Sequence, residues 1–127
     1  MKLKLIEIIN CNTVLNELST NKSNNVRAVY KIAKISKALK NEMELVEEQR
    51  LNIIKKYCEM DDNGLPKIDD GQYIIPAENT KLLQQELENF LSIEVDIDID
   101  PLTLSDLEGF DLSSRQLTEL FVIMEEN

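Results

Sequence analysis

The chain has 127 residues, 43% of them hydrophobic and 30% charged, with a formal net charge of −10 and neither histidine nor tryptophan. That is the make-up of one folded domain with a real core. It excludes His-dependent triads and zinc sites built on Cys and His, and no apolar run reaches the eighteen or so residues of a membrane span.

The first element in chain order is "MKLKL", residues 1–5, whose alternation predicts a short strand. The opening lysines do not make a signal peptide, because Glu7 breaks the apolar stretch and no small-residue cleavage site follows. A cytoplasmic location is expected. Residues 6–19 follow as a helix with Ile8, Ile9, Val14, Leu15 and Leu18 on its buried face. The loop "STNKSNN" turns the chain near residue 22 and caps the next helix.

That helix, over about 25–59, contains no Gly and no Pro. Ile32, Ile35, Leu39, Met43, Val46, Ile53 and Tyr57 recur at steps of three, four or seven, the period of one helical face. Arg50 falls where the stripe calls for an apolar residue. At 1.5 Å per residue the rod is about 52 Å long. "DDNG" at 61–64 is turn chemistry, and "IDDGQYIIP" predicts a second turn leading into a short strand at 72–75. Residues 77–91 form a helix with Leu83, Leu87, Phe90 and Leu91 on one side. Laid antiparallel on the rod, the first and third helices each cover half of it. Cys11 then lies opposite residue 33, and the roughly 37 Å of helix left to Cys58 exceeds the Cα separation of about 7 Å that a disulfide allows. Two separate reduced thiols are expected.

The tail changes period. "IEVDIDIDP" alternates, with Ile93, Val95, Ile97 and Ile99 on one face and Glu94, Asp96, Asp98 and Asp100 on the other, a half-buried strand ended by Pro101. Ser105 and Glu108 stand at capping-box spacing ahead of Gly109, and Ser113 and Gln116 make a second box. The helix it opens runs to about Met124 on Leu117, Leu120, Phe121 and Met124.

The expected fold is α+β, mainly α: a long central helix (about 25–59) flanked by two shorter antiparallel helices, with a small two- or three-stranded sheet and a short C-terminal helix. It is one domain over 1–127, a helical hairpin at 1–60 followed at 61–127 by a helix, a small acidic sheet and the C-terminal helix.

Charge supplies the candidate sites. Residues 1–57 carry eleven Lys or Arg against six acids, and residues 58–127 carry three against eighteen. Lys22, Arg27, Lys31, Lys34, Lys37 and Lys40 run without an acid between them, and Glu42, Glu44, Glu47 and Glu48 then reverse the sign. The bland reading is the solvated face of an amphipathic helix. The functional reading makes Arg27, Tyr30, Lys31, Lys34, Lys37, Lys40, Glu44 and Glu48 binding residues. They would meet a protein partner or a second copy, or in the alternative a small nucleotide held by Arg27 and Lys31 and stacked on Tyr30. Nucleic acid is disfavoured by the net charge and by the lack of interleaved aromatics. Asp96, Asp98 and Asp100 are weak metal candidates, since alternate residues on a strand lie about 6.6–6.8 Å apart and no EF-hand loop is complete. No cofactor is expected. The glycines build no phosphate loop, and no nucleophile stands beside a base, so no catalytic residue is assigned.

The stretches "VYKIAKISKALKNEMELVEEQRLNIIKKY" and "IPAENTKLLQQELENFLSIEVDIDIDPLTLSDLEGFDLS" resemble small proteins encoded in phages and prophages of Gram-positive bacteria. There too, a lysine-rich then glutamate-rich helix precedes a turn, a second helix, an acidic alternating strand and an L-x-x-L-E-G turn. The likeness runs from 26 to about 113. It implies a viral setting in a bacterial cytoplasm and an accessory role, virion assembly, regulation or counter-defence, and it brings no functional residues with it.

Overall fold

The computed structural model describes residues 1–20 and 25–125. Lys22 and the turn expected around it lie outside the described residues. The architecture is α+β and mainly helical, with the long helix in place. In chain order come β1 (Lys2–Lys4), α1 (Leu5–Leu18), α2 (Val26–Tyr57), β2 (Ile68–Asp69), β3 (Gln72–Tyr73), α3 (Ala77–Leu91), β4 (Glu94–Asp96) and α4 (Ser114–Leu120). Single 3-10 turns occupy Ser105–Leu107 and Phe121–Ile123.

The chain gathers into two compact units, Met1–Met43 with Glu94–Asn127, and Glu44–Ile93. The first unit thus holds the first half of α2 and the tail, and the second holds the rest of α2 with α3.

In the first unit, the buried face of α1 carries Leu5, Ile8, Cys11, Val14, Leu15 and Leu18. The first half of α2 adds Ala28, Ile32, Ile35 and Leu39, and the tail adds Ile97, Leu102, Leu107, Leu120 and Ile123. Burying each of the larger aliphatic side chains contributes about 1.5–3 kcal/mol. β1 pairs antiparallel with β4, placing Lys2 opposite Asp96, Leu3 opposite Val95 and Lys4 opposite Glu94. The acidic face of β4 thus stands against the basic face of β1, a pairing that opposite charges favour. Ile97 is buried as the alternation requires, whereas Ile93 is half exposed, because the ladder begins only at Glu94.

The turn before Gly109 is capped differently from the sequence expectation. Its box joins Thr103 and Asp106: the Thr103 N–H donates to Asp106 Oδ2 at 2.9 Å, and the Asp106 N–H donates to Thr103 Oγ1 at 3.2 Å. Ser105 only shares a hydroxyl contact with Thr103. Gly109, at φ 88, ends the turn, and the Phe110 N–H closes it on Leu107 O. The Ser113–Gln116 box forms as expected. Beyond Leu120 the chain tightens to a 3-10 turn, which puts Ile123 in the core and leaves Phe121 56% exposed, reversing its expected burial.

In the second unit, Val46 and Cys58 are buried, while α3 has no fully buried residue. Asp70 (φ 52) and Gly71 (φ 77) make a two-residue turn of type I′ geometry, for which Asp-Gly is a preferred pair. It joins β2 to β3, so the strand expected at 72–75 pairs with its own neighbour, and the two small sheets are separate. The Asp61 carboxylate accepts from the N–H groups of Asn63 and Leu65, fixing the preceding loop. Asn79 Nδ2 donates to Tyr57 O, tying the start of α3 to the end of α2.

Candidate functional site

The basic side chains of α2 have different fates. Lys31 Nζ donates to Asp106 Oδ2 at 2.8 Å, and both side chains are largely shielded from solvent. Burial pushes the Asp106 carboxyl up, but the Lys31 ammonium and the Thr103 hydrogen bonds outweigh it and hold the group below its usual range. Lys34 Nζ sits 5.8 Å from the Tyr30 ring centroid, and the ring itself is 65% exposed. Arg27, Lys37 and Lys40 are exposed and form no ion pair among the described residues.

Lys31, Lys34 and Ile35 form one wall of a cleft of about 270 Å³, and Asp98, Ile99 and Asp100 form the other. The structure therefore brings together two of the candidate binding residues and two of the candidate metal residues. Asp96 is elsewhere engaged, accepting from the Met1 ammonium at 3.0 Å. Among the described residues no group of three Cys, Asp or Glu side chains is arranged to hold a metal ion. Lys31 is already bonded to Asp106, and a polyphosphate approaching Lys34 would meet Asp98 and Asp100 across the gap.

On the acidic part of α2, Glu44 and Glu48 are exposed without an ion pair among the described residues, and Glu47 reaches Arg50 at 3.4 Å. Arg50, the polar interruption of the apolar stripe, is thus solvated and paired within its own helix.

Several interacting residues escaped the sequence reading. Glu17 on α1 takes the Arg115 guanidinium at 3.2 Å and Gln116 Nε2 at 2.6 Å, which lowers its carboxyl, chiefly through the Gln116 bond. Lys56 donates to Glu86 at 2.8 Å, holding that carboxyl low and raising the ammonium. A second, apolar cleft of about 320 Å³ lies among Leu18, Val29, Ile32, Ala33 and Phe110. Asp106 had a readable signal, since Thr103 and Asp106 have capping spacing; the other pairs have no local signature.

The cysteines are both free and buried. Cys11 Sγ donates to Glu119 O at 3.2 Å, and burial, helped by Glu7 and Glu119, pushes its pKa up to about 12. Cys58 Sγ donates to Lys55 O. Cys11 is therefore a packing residue rather than a nucleophile.

No family model, curated protein or solved structure matches the chain. No helix among the described residues is long and apolar enough to cross a membrane.

Proposed function

We propose that the chain is a non-enzymatic binding protein that acts by self-association, the basic band of α2 in one copy meeting the acidic band at 44–48 of another. One observation carries this reading. Lys37, Lys40, Glu44 and Glu48 are exposed, and no ion pair among the described residues uses any of them. Lys31, by contrast, is taken up by the chain's own tail. A helix whose sign reverses along its length is self-complementary when two copies run antiparallel, because each positive band then meets a negative one. The resemblance to phage-encoded proteins supports an accessory role in the cytoplasm of a bacterial host.

The test is sedimentation of the wild type, of Lys37→Glu/Lys40→Glu and of Glu44→Lys/Glu48→Lys, at low and high salt. The wild type is expected to associate at low salt and to dissociate as salt screens the pairs. Each reversed variant is expected to be monomeric alone, and an equimolar mixture of the two to associate again. A monomeric wild type at low salt, or an oligomer indifferent to both reversals, overturns the reading.

A second reading has its own observation. Met60, Leu65 and Ile68 are exposed around the acids Asp61, Asp62, Asp69 and Asp70. Such an acidic and apolar surface suits a counter-defence protein that occupies the basic face of a host effector, and sedimentation would then show a monomer. Nucleic-acid binding ranks behind both, because the net charge of −10 opposes it.

A further inference from the structure

We propose that the cleft of Lys34, Asp98 and Asp100 binds a small amphoteric ligand bearing one carboxylate and two cationic groups, as free arginine and lysine do. The inference is independent of self-association, since it uses none of Lys37, Lys40, Glu44 or Glu48.

The cleft holds opposite charges that do not neutralise each other. Lys34 lines it together with Asp98 and Asp100, yet no ion pair joins them. The reason lies in how the walls are anchored. On one side Ile35, 2% exposed, fixes α2 in the core. On the other side Asp98, Ile99 and Asp100 are strung between the buried Ile97 and Leu102, and Pro101 restricts the backbone just after Asp100. The Ile97 N–H donates to Met1 O, and the Leu102 N–H donates to Ile123 O, both at 2.8 Å. Moving either wall's backbone to narrow the cleft would disturb the buried side chains that anchor it.

The charge available to a ligand follows. Lys31 is bonded to Asp106, so Lys34 is the cation left to an incoming carboxylate. Asp98 and Asp100 are both exposed and carry no hydrogen bond or ion pair among the described residues. The complement of one ammonium and two carboxylates is a ligand with one negative and two positive groups. Ile99, partly exposed, lines the same cleft and can lie against the methylene body of such a ligand. A divalent cation is the poorer occupant: Ca²⁺ seeks six or more oxygens, and Lys34 opposes any cation unaccompanied by an anion.

The test is titration of the full chain with L-arginine and L-lysine at low salt, followed by amide chemical shifts. The controls are 1,5-diaminopentane, which is lysine without its carboxylate, and L-glutamate. Saturable shifts confined to residues 31–35 and 98–100 are expected for the two basic amino acids, with the controls binding at least about tenfold more weakly. Lys34→Met and Asp98→Asn/Asp100→Asn, all exposed positions, should each weaken binding roughly tenfold with the circular dichroism spectrum unchanged. The proposal falls if neither amino acid gives saturable shifts, if the diamine binds as tightly as lysine, or if neither variant alters affinity. Sedimentation of Asp98→Asn/Asp100→Asn, which lies outside the basic band of α2, should match the wild type, which separates failure here from failure of self-association.

Discussion

Lys31 Nζ and Asp106 Oδ2 meet at 2.8 Å across 75 residues of sequence, joining the first half of α2 to the turn before Gly109. The same oxygen accepts the Thr103 N–H, so one carboxylate caps its own turn and fastens it to a helix. Lys31→Met and Asp106→Asn should each cost about 1–2 kcal/mol in urea unfolding. The double variant should lose less than the sum of the two. The Asp106 carboxyl is held below its usual value, so the folded state binds its proton less readily than the unfolded one. Its contribution is therefore present above about pH 4 and is lost as pH falls through the folded value. Denaturation midpoints measured from neutral pH downwards should fall less steeply on the acid side in Asp106→Asn than in the wild type.

Thr103 rather than Ser105 is the capping hydroxyl of that turn. Thr103→Ala should cost roughly 1 kcal/mol, whereas Ser105→Ala should stay within about 0.5 kcal/mol. Thermal unfolding of the two variants side by side checks the assignment.

Adjacent residues at the end of α4 should behave oppositely. Leu120 is fully buried and Phe121 is 56% exposed. Leu120→Ala is expected to cost about 2–5 kcal/mol through the cavity it leaves, and Phe121→Ala within about 0.5 kcal/mol. Chemical denaturation of both decides it, and equal losses would contradict the tightening to a 3-10 turn.

Cys11 and Cys58 should resist alkylation in the native protein at pH 8 and react fully in denaturant. For Cys11 the reason is both access and ionisation, its thiol being raised to about 12. Mass spectrometry after brief iodoacetamide treatment reads each site separately. Rapid native labelling of Cys11 would contradict its burial under α4.

Much of the local structure was legible because its causes lie within a few residues. The three-and-four spacing of Ile32, Ile35 and Leu39 places α2 and its buried face; the Asp70–Gly71 pair specifies the turn between β2 and β3; and Ser113 with Gln116 opens α4. The candidate site was legible only in part. Lys31 and Lys34 stand out in the charge pattern, but neither Asp106 nor Asp98 and Asp100 can be assigned to them without coordinates. The expected box at Ser105 and Glu108 did not form: two capping pairs overlap there, and the one whose carboxylate also reaches the distant Lys31 is the one made.

By itself, the sequence determined a helical chain with a long sign-changing rod and an acidic strand, the latter shorter (Glu94–Asp96) than the expected 93–100, since periodicity, turn chemistry and charge act over one or two turns of backbone. Only the tertiary structure decided that β1 pairs with β4 while β2 and β3 pair alone, that Ile123 replaces Phe121 in the core, and that Lys31 is used within the fold while Lys37 and Lys40 stay exposed. Those outcomes depend on which distant segments close on each other, a competition among loop-closure entropy, burial and charge pairing across many residues. No window of residues contains its result.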